Sequence, residues 1–307
     1  MPAVIVILVL AMGLAAVWLL YRRSIRRRHA RINPDALTLP QNPDWLLDST
    51  GASHDRFLPI ATAVNLRDIG GYPAANGKRV RWGRIYRSGT LSELSEGDVH
   101  LVAQLGLKVI CDLRTEREAE RSPDLPERFG ARPAFIPLKA DHGARRRLIV
   151  LLFRSAQMRQ LVYETYTDLI LEYNAGVIGA FLRLAADAEN YPLLFHCSAG
   201  KDRTGAAAMV LFGLLGVPDE VIVADYSLSN KYHHRFREYV GEAVVRFKWM
   251  AITPDDMTPF AVADPAVLRD VIAELRRRYG SFEDYALTRC GIDESVIAAL
   301  RANLLEE

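Results

Sequence analysis

The chain has 307 residues, 50% of them hydrophobic, with 39 Lys and Arg against 37 Asp and Glu and a formal net charge of +2. That length and apolar content exclude a disordered chain and fit one sizeable domain, and the charge balance lacks the strongly basic face that a nucleic-acid partner calls for. Three cysteines, Cys111, Cys197 and Cys290, are too few for a disulfide framework, and no His or Cys spacing typical of a metal site occurs, so neither a metal nor another cofactor is expected.

Met1 to Tyr21 carries no charged side chain and is dominated by Val, Ile, Leu and Ala. As a helix it reaches about 30 Å, the thickness of bilayer hydrocarbon. It runs directly into Arg22, Arg23, Arg26, Arg27 and Arg28. A cleavable signal peptide would place positive charge before its apolar core rather than after it. The pattern therefore predicts a transmembrane anchor over 1–21, a single pass, with the arginines keeping the chain that follows on the cytoplasmic side. They could also touch anionic headgroups. A basic juxtamembrane segment and linker follows over 22–55, rich in Pro, Asn, Asp and Ser from Ile32 onward, and one domain occupies 56–307.

Within that domain the patterning predicts a strand near 80–87, a helix over 96–105, a strand over 107–113 and a helix over 115–121 opened by the capping-box pair Thr115 and Glu118. A strand over 133–138, helices across 145–188, a strand over 192–196 and helices to the end follow. The alternation predicts an α/β fold, a central mainly parallel sheet flanked by helices, with a ligand site beyond the carboxyl end of the last central strand. Residues 144–154 are basic and then apolar. They could form a mobile lid or a membrane-facing helix, against an ordinary core helix, which their helical Leu, Ile and Val spacing favours.

The most informative stretch is His196-Cys197-Ser198-Ala199-Gly200-Lys201-Asp202-Arg203-Thr204-Gly205, which joins the apolar run 191–195 to the apolar helix 204–215. A strand-to-helix loop can turn backbone N–H groups inward at a helix N-terminus, where unpaired donors and the helix dipole favour an anion. The same donors favour the thiolate of a cysteine at the start of the loop. Arg203 supplies a planar fork for two phosphoryl oxygens and for the charge of a transition state. The bland alternative, one more buried thiol and a surface ion pair, leaves this constellation without a purpose.

The stretch resembles the signature loop of the cysteine-dependent protein tyrosine phosphatase superfamily: His-Cys, five residues, Arg, then Ser or Thr. Its Gly-Lys-Asp-Arg-Thr-Gly ending is similar to bacterial tyrosine and dual-specificity phosphatases of the secreted mycobacterial and listerial type, some of which accept phosphoinositides. Two upstream segments carry the same resemblance: Asn65-Leu66-Arg67-Asp68-Ile69-Gly70-Gly71-Tyr72 with 83–89, and 106–114. The predicted anchor is a departure from the secreted relatives.

The resemblance implies a phosphocysteine intermediate on Cys197, with Arg203 as phosphate clamp. His196 would orient the loop, and Thr204 would bond the sulfur and help it leave. Ser198, Ala199, Gly200, Lys201 and Asp202 would contribute main-chain donors. A general acid is also required, and three carboxylates are candidates: Asp141, at the end of an apolar strand as in the acid loop of related phosphatases; Asp202, inside the loop; and Asp112, which with Arg114 equally reads as an ion pair. Lys201 could meet a substrate with several phosphates or be merely solvated; the other loop lysine of phosphoinositide phosphatases is replaced here by Ser198. The expected partner is a phosphotyrosine protein, the alternatives being a phosphoinositide or a phosphorylated ligand bound without hydrolysis. A rhodanese or arsenate reductase is disfavoured by His196, Thr204 and the upstream matches.

Overall fold

The computed structural model describes residues 12–24, 32–139, 158–245 and 258–307. Its centre is a five-stranded sheet in the order β1 (Arg67–Asp68), β3 (Ile85–Ser88), β6 (Leu193–His196), β4 (Val109–Asp112) and β5 (Arg132–Phe135). Only β1 is antiparallel to its neighbour; the other pairings are parallel. Side chains alternate between faces along a strand. Ile85, Val109, Cys111, Leu193 and Phe195 accordingly join a large apolar cluster, while Tyr86, Ile110 and Leu194 join a second one on the other side. Both faces are covered, as parallel sheets require.

The register aligns the strand ends. Ser88 pairs with His196, His196 with Asp112, and Asp112 with Phe135, so β3, β6, β4 and β5 release their chains along one carboxyl edge. From that edge the chain after β6 turns back as the helix Asp202–Leu215, whose residues 203–212 are all buried. It ends at Gly216, whose φ of 74° is the left-handed cap glycine favours.

The strand expected near 80–87 is two strands. Gly83, with φ at 70°, turns the chain, so that β2 (Arg79–Val80) pairs instead with β7 (Leu305–Glu306) at the C-terminus. Alternating apolar residues on both sides of the turn hide that break. The segment 32–55, read from its Pro, Asn, Asp and Ser as a linker, is docked against the domain. Leu39 and Trp45 pack on the large cluster, the Leu39 amide donates to the Ser227 hydroxyl at 2.9 Å, and the Trp45 carbonyl accepts from Arg56 at 3.0 Å. Its few large apolar side chains, spaced among turn residues, are enough to dock it.

Residues 12–24 are helical, with Met12, Leu14, Val17, Leu19 and Leu20 exposed; residues 1–11 of the expected anchor lie outside the described residues. Among the described residues no single helix is long and apolar enough to cross a membrane. The bent pair Arg159–Tyr173 and Ala175–Ala186, at 70°, passes that test on length and composition. Its Tyr166, Ile170, Ile178, Phe181 and Leu182 are nevertheless core residues.

Charge also lies in the interior. Arg67 Nε donates to Asp225 Oδ1 at 3.0 Å and Arg87 bonds Asp225 Oδ2, all three side chains being at most 1% exposed. Burial alone would push the Asp225 carboxyl up; the Arg67 and Arg87 guanidinium groups outweigh it and hold it well below the usual carboxylate range. Removing one member of a buried pair strands the other charge. Asp225→Ala is therefore expected to lose about 3–5 kcal/mol in urea unfolding; a loss under about 1 kcal/mol, the scale of an exposed pair, would show the group to be solvated.

Candidate active site

The loop after β6 is defined first by where its carbonyls go. Ser198 O accepts from the Thr90 amide at 3.0 Å, and Gly200 O accepts from Asn65 Nδ2 at 2.8 Å and from an Arg87 guanidinium nitrogen at 2.9 Å. Asn65 Nδ2 also reaches Ala199 O at 3.4 Å, and Arg87 reaches Lys201 O at 3.5 Å. In a trans peptide the N–H points opposite the C=O, so carbonyls held by the body of the protein leave the amides for the other side. Gly200 permits this path with φ at 65°, since a Cβ there would fall 2.4 Å from the Ser88 carbonyl.

On the open side lies a cavity of about 200 Å³. The loop contributes Cys197, Ser198, Ala199, Lys201, Asp202 and Arg203 to its lining, and Leu161, Val162, Ile170 and Phe260 form apolar walls. Thr165, Tyr166 and Ile170 reach it from a π-helical stretch, Thr165–Tyr173. Such stretches recur at functional sites. Cys197 is 2% exposed. The other two thiols lie elsewhere in the core, and burial pushes Cys290 up to about 12 and Cys111 higher still, which makes both inert. A larger groove, about 720 Å³ between the helices Met158–Glu164 and Pro265–Tyr279, shares no lining residue with the thiol cavity and has no Cys or Ser in its lining, among the described residues.

Arg203 is held by a bidentate pair with Glu118, at 2.7 Å to each oxygen. Glu118 also accepts from the Thr115 amide at 2.9 Å and hydroxyl at 2.7 Å, and from the Ser198 hydroxyl at 2.8 Å. Burial would raise this carboxyl, but the Arg203 guanidinium bonded to it brings it well below the usual range. The capping-box glutamate thus ties the helix Glu116–Arg121 to the clamp. Its capping role is visible in the sequence; its grip on Arg203 is not, because the two are 85 residues apart.

His196 is fully buried, with Nδ1 3.4 Å from the Cys197 carbonyl. Its Nε2 lies 3.5 Å from Asp124 Oδ2 and 3.9 Å from Asp112 Oδ1. The donor atoms of these three residues lie within 4.8 Å of one another, a spacing open to a metal. The Arg114 guanidinium already bonds both carboxylates, Asp112 at 2.7 Å and Asp124 more closely. A fixed cation between the two carboxylates does not fit a metal ion, and Asp112 is the ion pair that was its alternative reading.

Asp202 stands at the cavity with its side chain 41% exposed. Its Oδ1 accepts from the Tyr166 hydroxyl at 3.1 Å and lies 3.1 Å from Lys201 Nζ. Lys201 is not solvated: it is 2% exposed. The Thr204 hydroxyl is buried and has no hydrogen-bond partner among the described residues. Asp141 and the lid candidate 144–154 lie outside the described residues, which resume with the helix Met158–Glu164. Asn65, Arg87, Tyr166 and Phe260 are site residues that sequence reasoning did not single out individually, and Glu118 stands out there only as a helix cap.

Loosening the clamp tests this arrangement. Glu118→Gln is expected to lower kcat/KM for an aryl phosphate by about 10–100-fold, the effect of misplacing a positioning group by around 1 Å, with thermal unfolding followed in parallel because the helix cap is weakened too. A rate within about twofold of the parent would show that Arg203 keeps its place without Glu118.

Residues 58–306 match the tyrosine phosphatase family. A Cupriavidus necator protein provisionally named a tyrosine-protein phosphatase is 34% identical over 272 residues, 87% of this chain and 93% of that protein. The triple specificity protein phosphatase PtpB of Mycobacterium tuberculosis is 28% identical, over 79% of this chain and 97% of that one. The solved structure of P. aeruginosa TpbA aligns over 79% of this chain and 95% of its own, with 14% identity and a TM-score of 0.26. With its family matched across nearly the whole domain and a relative matched end to end, the chain belongs to the tyrosine phosphatase family and is a phosphatase.

Proposed function

We propose that the chain hydrolyses phosphotyrosine in proteins through a phosphocysteine intermediate. The observation that carries this is the convergence on one cavity with apolar walls of Cys197, Arg203 and a loop whose carbonyls are held by the body of the protein, which leaves its amides for the cavity. The Cys197 thiolate attacks phosphorus and the S–P bond forms as the ester P–O bond breaks. The leaving oxygen takes a proton from a carboxylic acid, and water then displaces the sulfur to release inorganic phosphate. Arg203, preset by Glu118, and the inward amides meet the charge of the transferring group. The unpartnered Thr204 hydroxyl is available to the departing sulfur. Among the described residues Asp202 is the carboxylate that lines the cavity, and both of its contacts fall on Oδ1, leaving Oδ2 for the leaving group. Asp141 is the rival acid.

The walls favour an aryl group over an inositol ring. Leu161, Val162, Ile170 and Phe260 suit a phenyl ring, and the two cations among the described lining residues are already committed, Arg203 to Glu118 and Lys201 to main-chain carbonyls. A second phosphate would find no uncommitted cation among the described lining residues. The mycobacterial relative is named a triple specificity phosphatase, which keeps substrates beyond phosphotyrosine within range as slower ones, a phosphoinositide being the alternative read from the sequence. The N-terminal apolar segment with its arginines would anchor the enzyme to the membrane, catalytic domain on the cytoplasmic side.

Cys197→Ser is expected to abolish turnover while phosphate binding persists, and Arg203→Ala to lower kcat/KM by about 100–1,000-fold and weaken phosphate binding. Asp202→Asn should slow phenyl phosphate by about 100-fold and p-nitrophenyl phosphate little, as loss of an acid predicts; equal slowing of both would transfer the role to Asp141. For the anchor, the full chain should float with phospholipid vesicles and a chain starting at residue 32 should not. Flotation of both, or of neither, would argue against it.

A further inference from the structure

Lys201 lies in the reaction loop, yet its ammonium is taken up by oxygens of the protein. Nζ donates to Phe260 O at 2.7 Å and Val262 O at 3.1 Å and lies 3.1 Å from Asp202 Oδ1. Two of its three N–H donors go to main-chain carbonyls, and its charge is paired with the Asp202 carboxylate. The segment it grips is held a second time, by Asn230, whose side chain donates to Ala263 O at 3.0 Å and accepts from the Ala263 amide at 2.7 Å. One end of that segment, Phe260, is a wall of the cavity. A 2% exposed lysine thus connects the wall to the carboxylate that faces the reacting group.

We propose that Lys201 is a positioning residue rather than a phosphate ligand: its ammonium joins the Phe260 wall and the Asp202 carboxylate into one unit, so that aryl ring and acid keep a common register over Cys197. This rests on the reading of the site as an aryl-phosphate hydrolase with Asp202 as acid. A buried cation satisfied by main-chain carbonyls is costly to displace, so the unit is rigid before substrate arrives. Specificity for an aryl monoester follows, because the charge that would attract a second phosphate is spent on the wall.

The test compares the full chain with Lys201→Met, the milder Lys201→Gln, which keeps a donor, and Phe260→Ala, which keeps the lysine and its carbonyl partners. Phenyl phosphate, p-nitrophenyl phosphate and competitive inhibition by inorganic phosphate are measured on each. For Lys201→Met, kcat for phenyl phosphate is expected to fall by about 30-fold and for p-nitrophenyl phosphate by about threefold, with Lys201→Gln between it and the parent. The inhibition constant of inorganic phosphate should stay within about twofold throughout, since the loop amides and Arg203 hold that anion. Phe260→Ala should raise KM for both esters and leave their ratio of kcat unchanged. If Lys201→Met fails to fold, Lys201→Gln carries the comparison. A rise of about tenfold or more in the phosphate inhibition constant of Lys201→Gln would make the ammonium a phosphate ligand and overturn the proposal. Equal slowing of both esters, or no slowing, would overturn it too. A parent chain inactive on both esters would instead defeat the functional reading, and the positioning role with it.

Discussion

A loop that offers its amides to an anion must turn its carbonyls into the protein, and the structure is organised around satisfying them. Buried carbonyls without donors are costly, so the loop cannot hold this shape alone. The donors come from two segments more than a hundred residues upstream: Asn65 from the stretch before β1, and Arg87 and Thr90 from the end of β3. The β3–β6 register, Arg87 opposite Phe195 and Ser88 opposite His196, delivers them to the loop. Arg87 must be buried to serve, and Asp225 balances it there together with Arg67. The interior ion network is thus a consequence of the anion cradle.

The same logic orders the other side of the cavity. The clamp, Arg203, is fixed by Glu118, and Glu118 is fixed by the cap it forms with Thr115 at the start of its own helix. His196, Asp112, Asp124 and Arg114 form a second buried charge cluster under the carboxyl edge of the sheet, where the β4 and β6 ends pair. Arg203 and Asp202 are each held by a neighbour with no part in the chemistry, Glu118 and Tyr166. Such support lets the charged groups of the site stand ready before a ligand enters, when reorganisation would otherwise add to the barrier.

Much of this is legible in the sequence because it is local. The strand, the turn at Cys197 and the helix Asp202–Leu215 follow from an apolar run, a glycine and a second apolar run, and the capping box from two residues three apart. The cradle's donors are long-range, and no periodicity links Asn65 to Gly200. Upstream segments stand out by resemblance alone, and the carbonyl bonds supply their physical reason. Lys201 reads from sequence as a charge for substrate or solvent, because composition does not show that Phe260 and Val262 bring carbonyls to it. The break at Gly83 and the docking of 32–55 are hidden for the same reason: both depend on partners, Leu305 and Ser227, far along the chain.

The central claim is that the loop, its carbonyls held by the protein and its amides left to the cavity, builds a site in which a phosphoryl group is transferred to Cys197. It is tested most directly by mixing the full chain with an aryl phosphate, quenching in acid within the first turnovers and measuring the peptide masses. One phosphoryl group on the peptide that contains Cys197, absent from Cys197→Ser, is the predicted result. Phosphate release with no covalent adduct, or an adduct on another residue, would contradict the account.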